Sequence, residues 1–279
     1  FTLAATLTLG WWVDGEMGWI RTMLRGGRGA KAVKRVSPPP TPRLILFEYE
    51  ASPWCRRVRE HLCTLDLICT VRPCPREALL FHMGPPLQPE GYCGPLSRFR
   101  PEIPPLGGAL TFPFLHDATM GVSLNESADI ARHLWEHYSA SVDPSSPRPT
   151  DSLNIAPSRS FASLQPSACA PLVGRPTPPL WRYLDVPSLV ASSALRPLPR
   201  HGLMLAPASA PASPPTLHQH EGCEGSRRVR EALSCLQMEY TLVPCVQGGS
   251  RPSPSGATPH LVDGDFESSE ADEIVAHLW

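Results

Sequence analysis

The chain has 279 residues, with 35 prolines, 20 glycines and a formal net charge of −1. That length holds one or two domains. The charge excludes a protein that is basic throughout, and no run of 18 apolar residues offers a membrane-spanning helix. Nine cysteines, scattered without paired CxxC steps, exclude a small disulfide scaffold and zinc knuckles. A reducing compartment is the simpler expectation.

Residues 1–43 read as a basic N-terminal segment. Positions 21–43 hold seven basic residues and no acidic one. Such a run is a solvated linker or an Arg-rich remnant of an organelle-targeting segment. No interleaved aromatics point to nucleic acid.

Residues 44–138 carry the first ordered pattern. Leu44–Tyr49 (LILFEY) is apolar and suits a buried strand. Ser52 followed by Pro53 reads as an N-cap with proline at the first helical position. Trp54, Val58, Leu62 and Leu65 then form one apolar helical stripe. Arg56, Arg57, Arg59 and Glu60 fall on the opposite face and are expected in water. Residues 69–72 (CTVR) return as a strand, so a parallel βαβ unit is expected. An insertion is expected around residues 78–96. Phe112–Asp117 is a further strand, residues 121–124 pair back on it, and Glu126–Tyr138 closes as a helix with Ile130, Leu134 and Tyr138 on one side.

The chain then repeats itself. Aligning Glu50–Cys74 with Glu221–Cys245 gives 11 identities in 25 positions, centred on RRVRE at 56–60 and 227–231. Farther on, PFLHD at 113–117 matches PHLVD at 259–263, and HLW at 133–135 matches HLW at 277–279. Between the copies, residues 139–215 are a Pro-rich stretch without periodicity, expected to be a disordered linker. The second copy, residues 216–279, is shorter, and alone it stands near the lower limit of independent stability.

The order β-α-β, then β-β-α, with Ser52-Pro53-Trp54-Cys55, Phe112-Pro113 and Glu126-Ser127, resembles the thioredoxin-like N-terminal domain of glutathione S-transferases. The fold expected is therefore α/β: two thioredoxin-like βαβ-ββα modules joined by the linker. The resemblance implies a cis Pro113, with the backbone of Phe112 pairing with the cysteine of glutathione. It implies that Glu126 and Ser127 hold the γ-glutamyl end, and that Ser52 donates to the glutathione thiolate. A helix N-terminus favours such an anion and lowers a thiol pKa. Glutathione is thus the expected co-substrate, beside an unidentified electrophile or disulfide. The tandem arrangement resembles plant and algal proteins of the plastid, so a chloroplast location is expected from that likeness.

The second copy has Glu270-Ala271 where the first has Glu126-Ser127. It gains Cys223, with Ser226 three residues on, which is a monothiol pattern able to exchange with glutathione. Glu221 and Glu224 would oppose a thiolate there. Other readings compete. Ser52 is a good N-cap whatever else it does, Cys55 lies on the core side of its helix, and Cys74 and Cys245 read as packing residues. His218, His220 and Cys223 lack a placed further ligand, so no metal is expected. The 139–216 stretch does not read as the all-helical domain that follows in transferases. The alternative function is therefore a non-catalytic module that keeps the fold and binds a protein partner.

Overall fold

The structure, a computed structural model, describes residues 28–75, 97–140, 142–143, 187–188, 190–191 and 213–279. The expected insertion at 78–96 and most of the 1–43 and 139–215 segments fall outside the described residues.

The first half runs β1 (Leu44–Glu48), α1 (Pro53–Thr64), β2 (Cys69–Pro73), two 3-10 turns at Arg100–Glu102 and Pro104–Leu106, β3 (Phe114–Asp117), β4 (Val122–Asn125) and α2 (Ser127–Tyr138). The second runs β5 (Thr216–Gln219), α3 (Glu224–Cys235), β6 (Tyr240–Pro244), β7 (His260–Asp263), β8 (Phe266–Ser268) and α4 (Ala271–Leu278). In each half the first two strands are parallel and the next two are antiparallel. This mixed α/β sheet with its helices is consistent with a thioredoxin-like fold.

Strand alternation sorts the core onto two faces. Leu44 and Leu46 face the helices and pack with Val58, Leu62, Leu65, Leu134 and Trp135. Phe47 and Phe114 turn to the other face, where Phe99 and Ile103 from the 97–110 stretch cover them. The second half has its own helix-side cluster around Leu217, Val229, Leu233, Leu242 and Ile274. Each fully buried leucine or isoleucine contributes roughly 1.5–3 kcal/mol.

The halves share one eight-stranded sheet in the order β4-β3-β1-β2-β6-β5-β7-β8. The joint is β2 antiparallel to β6, with Cys69 opposite Leu242, Thr70 opposite Thr241 and Val71 opposite Tyr240. Thr70 and Thr241 are equivalent positions of the repeat, so the pairing lies on a local two-fold axis. Val71 of the first half packs into the second half's core cluster. A short unit that is marginal alone thus gains both a neighbouring strand and apolar cover.

The polar face of α1 is not wet, as the spacing led one to expect. Arg56, Arg57, Arg59 and Glu60 are all buried. For Arg56, Arg59 and Glu60 the reason is charge pairing at the joint. The Arg59 guanidinium meets Glu48, Glu50 (2.9 Å) and Glu221 (2.7 Å). Its counterpart Arg230 meets Glu50 (2.9 Å), Glu221 (3.3 Å) and Gln219. Arg59 thus binds two glutamates of its own half and one of the other, and Arg230 binds one of each. Arg56–Glu60 and Arg227–Glu231, both at 3.1 Å, flank this cluster on their helices.

Part of the basic N-terminal stretch is structural. Gly29 accepts a hydrogen bond from the Glu221 amide, Ala32 donates to Gln247, and Val33 donates to Thr64 (2.9–3.2 Å). These residues strap the two halves together. Gly29 has φ +73°, and a Cβ there would stand 2.7 Å from that of Glu221, so glycine alone fits.

Candidate functional site

The expected site residues of the first half come from three chain segments that meet at one end of the sheet. Ser52 caps α1: it has extended backbone angles, and its Oγ accepts from the Cys55 amide at 3.3 Å. The hydroxyl is buried, so the capping role is plain and its exposure to a ligand is small. Cys55 is fully buried, and burial, then Glu48, push its thiol pKa up to about 12. Nothing in that setting favours a thiolate.

The Phe112–Pro113 peptide bond is cis, as the resemblance implied. Phe112 is half-buried. Its ring meets Tyr49 edge-on at 6.1 Å, and the Arg100 guanidinium lies 4.7 Å from its centre. Tyr49 in turn accepts from the Ser52 amide at 3.1 Å, which ties the strand start to the helix start.

Glu126 stands immediately before α2 with φ 68° and ψ 115°. A non-glycine residue rarely occupies that region, at a cost on the order of 1–3 kcal/mol, and such outliers gather at ligand sites. Its side chain is exposed and makes no capping bond. Ser127 follows as the first residue of α2 and is buried; its Oγ accepts from Arg57 Nη1 at 3.2 Å. Arg57, on the face expected in water, lies instead buried against this helix start.

The second half repeats the frame with altered groups. The Thr258–Pro259 bond is cis. Cys223 caps α3: its sulfur accepts from the Ser226 amide at 3.3 Å, and its S–H donates to the Thr258 carbonyl at 3.2 Å. The thiol therefore sits at a helix start directly against the residue before the cis proline. Cys223 and Cys245 are the two described cysteines that are not fully buried. Glu270 has φ −87°, so the unusual backbone of Glu126 is not repeated. Arg228, the counterpart of Arg57, is paired with Asp272.

Other conspicuous groups are accounted for by structure. His133 Nε2 donates to the Asp117 carboxylate (2.8 Å), to which the Tyr138 hydroxyl also donates. Burial alone would raise the Asp117 pKa, but the bonds from Tyr138 and His133 hold it below the ordinary range. His277 meets Asp263 in the same way at 2.9 Å. Among the described residues, no group of three or more His, Cys, Asp or Glu side chains is placed to hold a metal ion. Among them, too, no helix is long and apolar enough to cross a membrane.

A cis proline before a strand, a capped helix start and an unusual backbone at the entry to the last helix make up a thioredoxin-like frame. The family model for the glutathione S-transferase N-terminal domain matches residues 46–142 and 217–279, more than half of the chain, and the chain belongs to that family. The family ties it broadly to glutathione. No curated protein and no solved structure matches the chain.

Proposed function

We infer that the two halves are tandem copies of one glutathione-binding module, and that the first copy holds the ligand. The observation that carries this is Glu126. Its exposed carboxylate stands at φ 68° beside Ser127, while the equivalent Glu270 has an ordinary backbone and is followed by Ala271. In this reading the backbone of Phe112 beside Pro113 pairs with the cysteinyl part of glutathione, and Glu126 with Ser127 holds the γ-glutamyl end.

Two chemistries are compared: one uses glutathione held in the first half, the other a thiol of the second half that needs no held glutathione. In a transferase-like reaction Ser52 would donate to the glutathione thiolate as it attacks an electrophile. In thiol exchange the Cys223 thiolate, freed of its proton, would attack the glutathione sulfur of a mixed disulfide between glutathione and another thiol. That step forms a Cys223–glutathione mixed disulfide and expels the other thiolate; a second glutathione then releases Cys223 as oxidised glutathione forms. Both side chains cap their helices, and exchange is the better supported because Cys223 is only partly buried while Ser52 is buried. That same engagement of Ser52 favours the second reading, a module that binds a protein partner and catalyses nothing. The plastid location rests on resemblance and is tested by imaging the tagged full-length protein.

Glutathione-disulfide exchange and conjugation of a model electrophile should be assayed on wild type, Cys223→Ser and Ser52→Ala. Exchange lost in Cys223→Ser and kept in Ser52→Ala supports exchange. The opposite pattern for conjugation supports the transferase version. Neither activity in wild type rejects both and favours the non-catalytic module.

A further inference from the structure

Arg57 is an unusual helix residue. It is 5 % exposed, its guanidinium lies 5.6 Å from the centre of the Trp54 ring, and its Nη1 donates to Ser127 Oγ at 3.2 Å. It therefore links the start of α1 to the start of α2. A serine hydroxyl has one hydrogen and two lone pairs. The Arg57 bond occupies a lone pair and leaves the hydroxyl hydrogen to be donated elsewhere. The adjacent positive charge makes an anionic acceptor the favoured one.

The second half shows what an arginine at this place takes. Arg228 holds the carboxylate of Asp272. Asp272 occupies the position of Ala128, and Ala271 that of Ser127. The second half thus supplies its own carboxylate and has no hydroxyl to offer. The first half has the hydroxyl and no acid at 128.

We propose that Arg57 is a positioning residue that aims the Ser127 hydroxyl at the α-carboxylate of a γ-glutamyl ligand, and that the Arg228–Asp272 pair closes the equivalent place in the second half. The chain then binds one such ligand, in the first half. This rests on the glutathione reading above.

The test is calorimetric titration with two probes, glutathione and its analogue bearing an amide at the glutamyl α-carboxylate. Wild type should bind glutathione at a stoichiometry of one and prefer it about tenfold, the size of one charge-assisted hydrogen bond. Arg57→Met should reduce that preference to about twofold or less. Arg57→Lys, which keeps a cationic donor on a similar stem, should keep most of it, and Arg228→Met should keep all of it. Circular dichroism shows whether each variant is folded. A folded Arg57→Met that binds both probes more weakly but keeps the tenfold preference overturns the positioning role while leaving the glutathione site standing. Two equivalents bound to wild type overturns the closure of the second half. Wild type binding neither probe rejects the glutathione reading itself, and this inference with it.

Discussion

Replacing Arg59 by methionine tests the joint between the halves. The substitution keeps an apolar stem and removes the guanidinium that meets Glu48, Glu50 and Glu221. Wild type sets these three carboxylates against two buried guanidiniums, those of Arg59 and Arg230. The variant leaves one guanidinium, so one further carboxyl must take a proton in the folded state. Protonating a carboxyl of ordinary pKa 4.5 at pH 7 costs about 3 kcal/mol. Breaking a buried ion pair from one side costs about 3–5 kcal/mol in general, so the two routes agree. Urea unfolding at pH 7 should show that loss, a large share of the roughly 5–15 kcal/mol of a whole domain. At pH 5 the protonation cost falls to about 1 kcal/mol or less. Adding Glu221→Gln should recover part of the loss at pH 7. A loss under about 1 kcal/mol, or an equal loss at both pH values, would refute the charge count.

Three further outcomes follow from the same geometry. Burial, against the opposing pull of Arg59, raises the Glu48 pKa to about 7. Because the folded value lies above the unfolded one, this residue's contribution is full below pH 4.5 and is lost as pH rises through about 7. Glu48→Gln, which copies Gln219 of the second half, should therefore gain stability over wild type between those limits, on the order of 3 kcal/mol by pH 8, as read by urea unfolding at pH 5 and pH 8. Ser52→Ala should cost about 1 kcal/mol through the lost cap, whereas Cys223→Ser, which keeps a capping oxygen, should cost less in the same titration. Under iodoacetamide at pH 8, peptide mapping of the seven described cysteines should find Cys223 labelled first. Cys55 and Cys63, buried with pKa values near 12, should stay unlabelled until unfolding; early labelling of Cys55 would contradict its burial.

The backbone architecture was legible because its signals are local. Ser52-Pro53 announced the start of α1, alternation marked β1, and the match of residues 221–245 to 50–74 pointed to a second run of the same element order. The burial of Arg59 was not legible from periodicity, which reports only which face of a helix is apolar. A polar face can also be buried when opposite charges meet it, and here one of those charges, Glu221, lies 162 positions away in the chain. A clue lay in the repeat itself. Five of the eleven matched identities are charged residues, Glu50, Arg56, Arg57, Arg59 and Glu60, where free surface positions have no packing reason to coincide. The φ of Glu126 had no signature at all, since glutamate is not a residue that favours that region. Arg57 was misplaced for the same reason as Arg59: its partner Ser127 is 70 residues away.

The glutathione reading turns on the first half's entry to α2. Calorimetric titration of the full chain with glutathione, on wild type and on Glu126→Ala, tests it most directly. Wild type should bind one equivalent, and the variant should lose roughly 1–3 kcal/mol, the size of one charged hydrogen-bonded contact. A flat titration of wild type at millimolar glutathione would contradict it, and would leave the shared sheet and its buried charges as a scaffold for a protein partner.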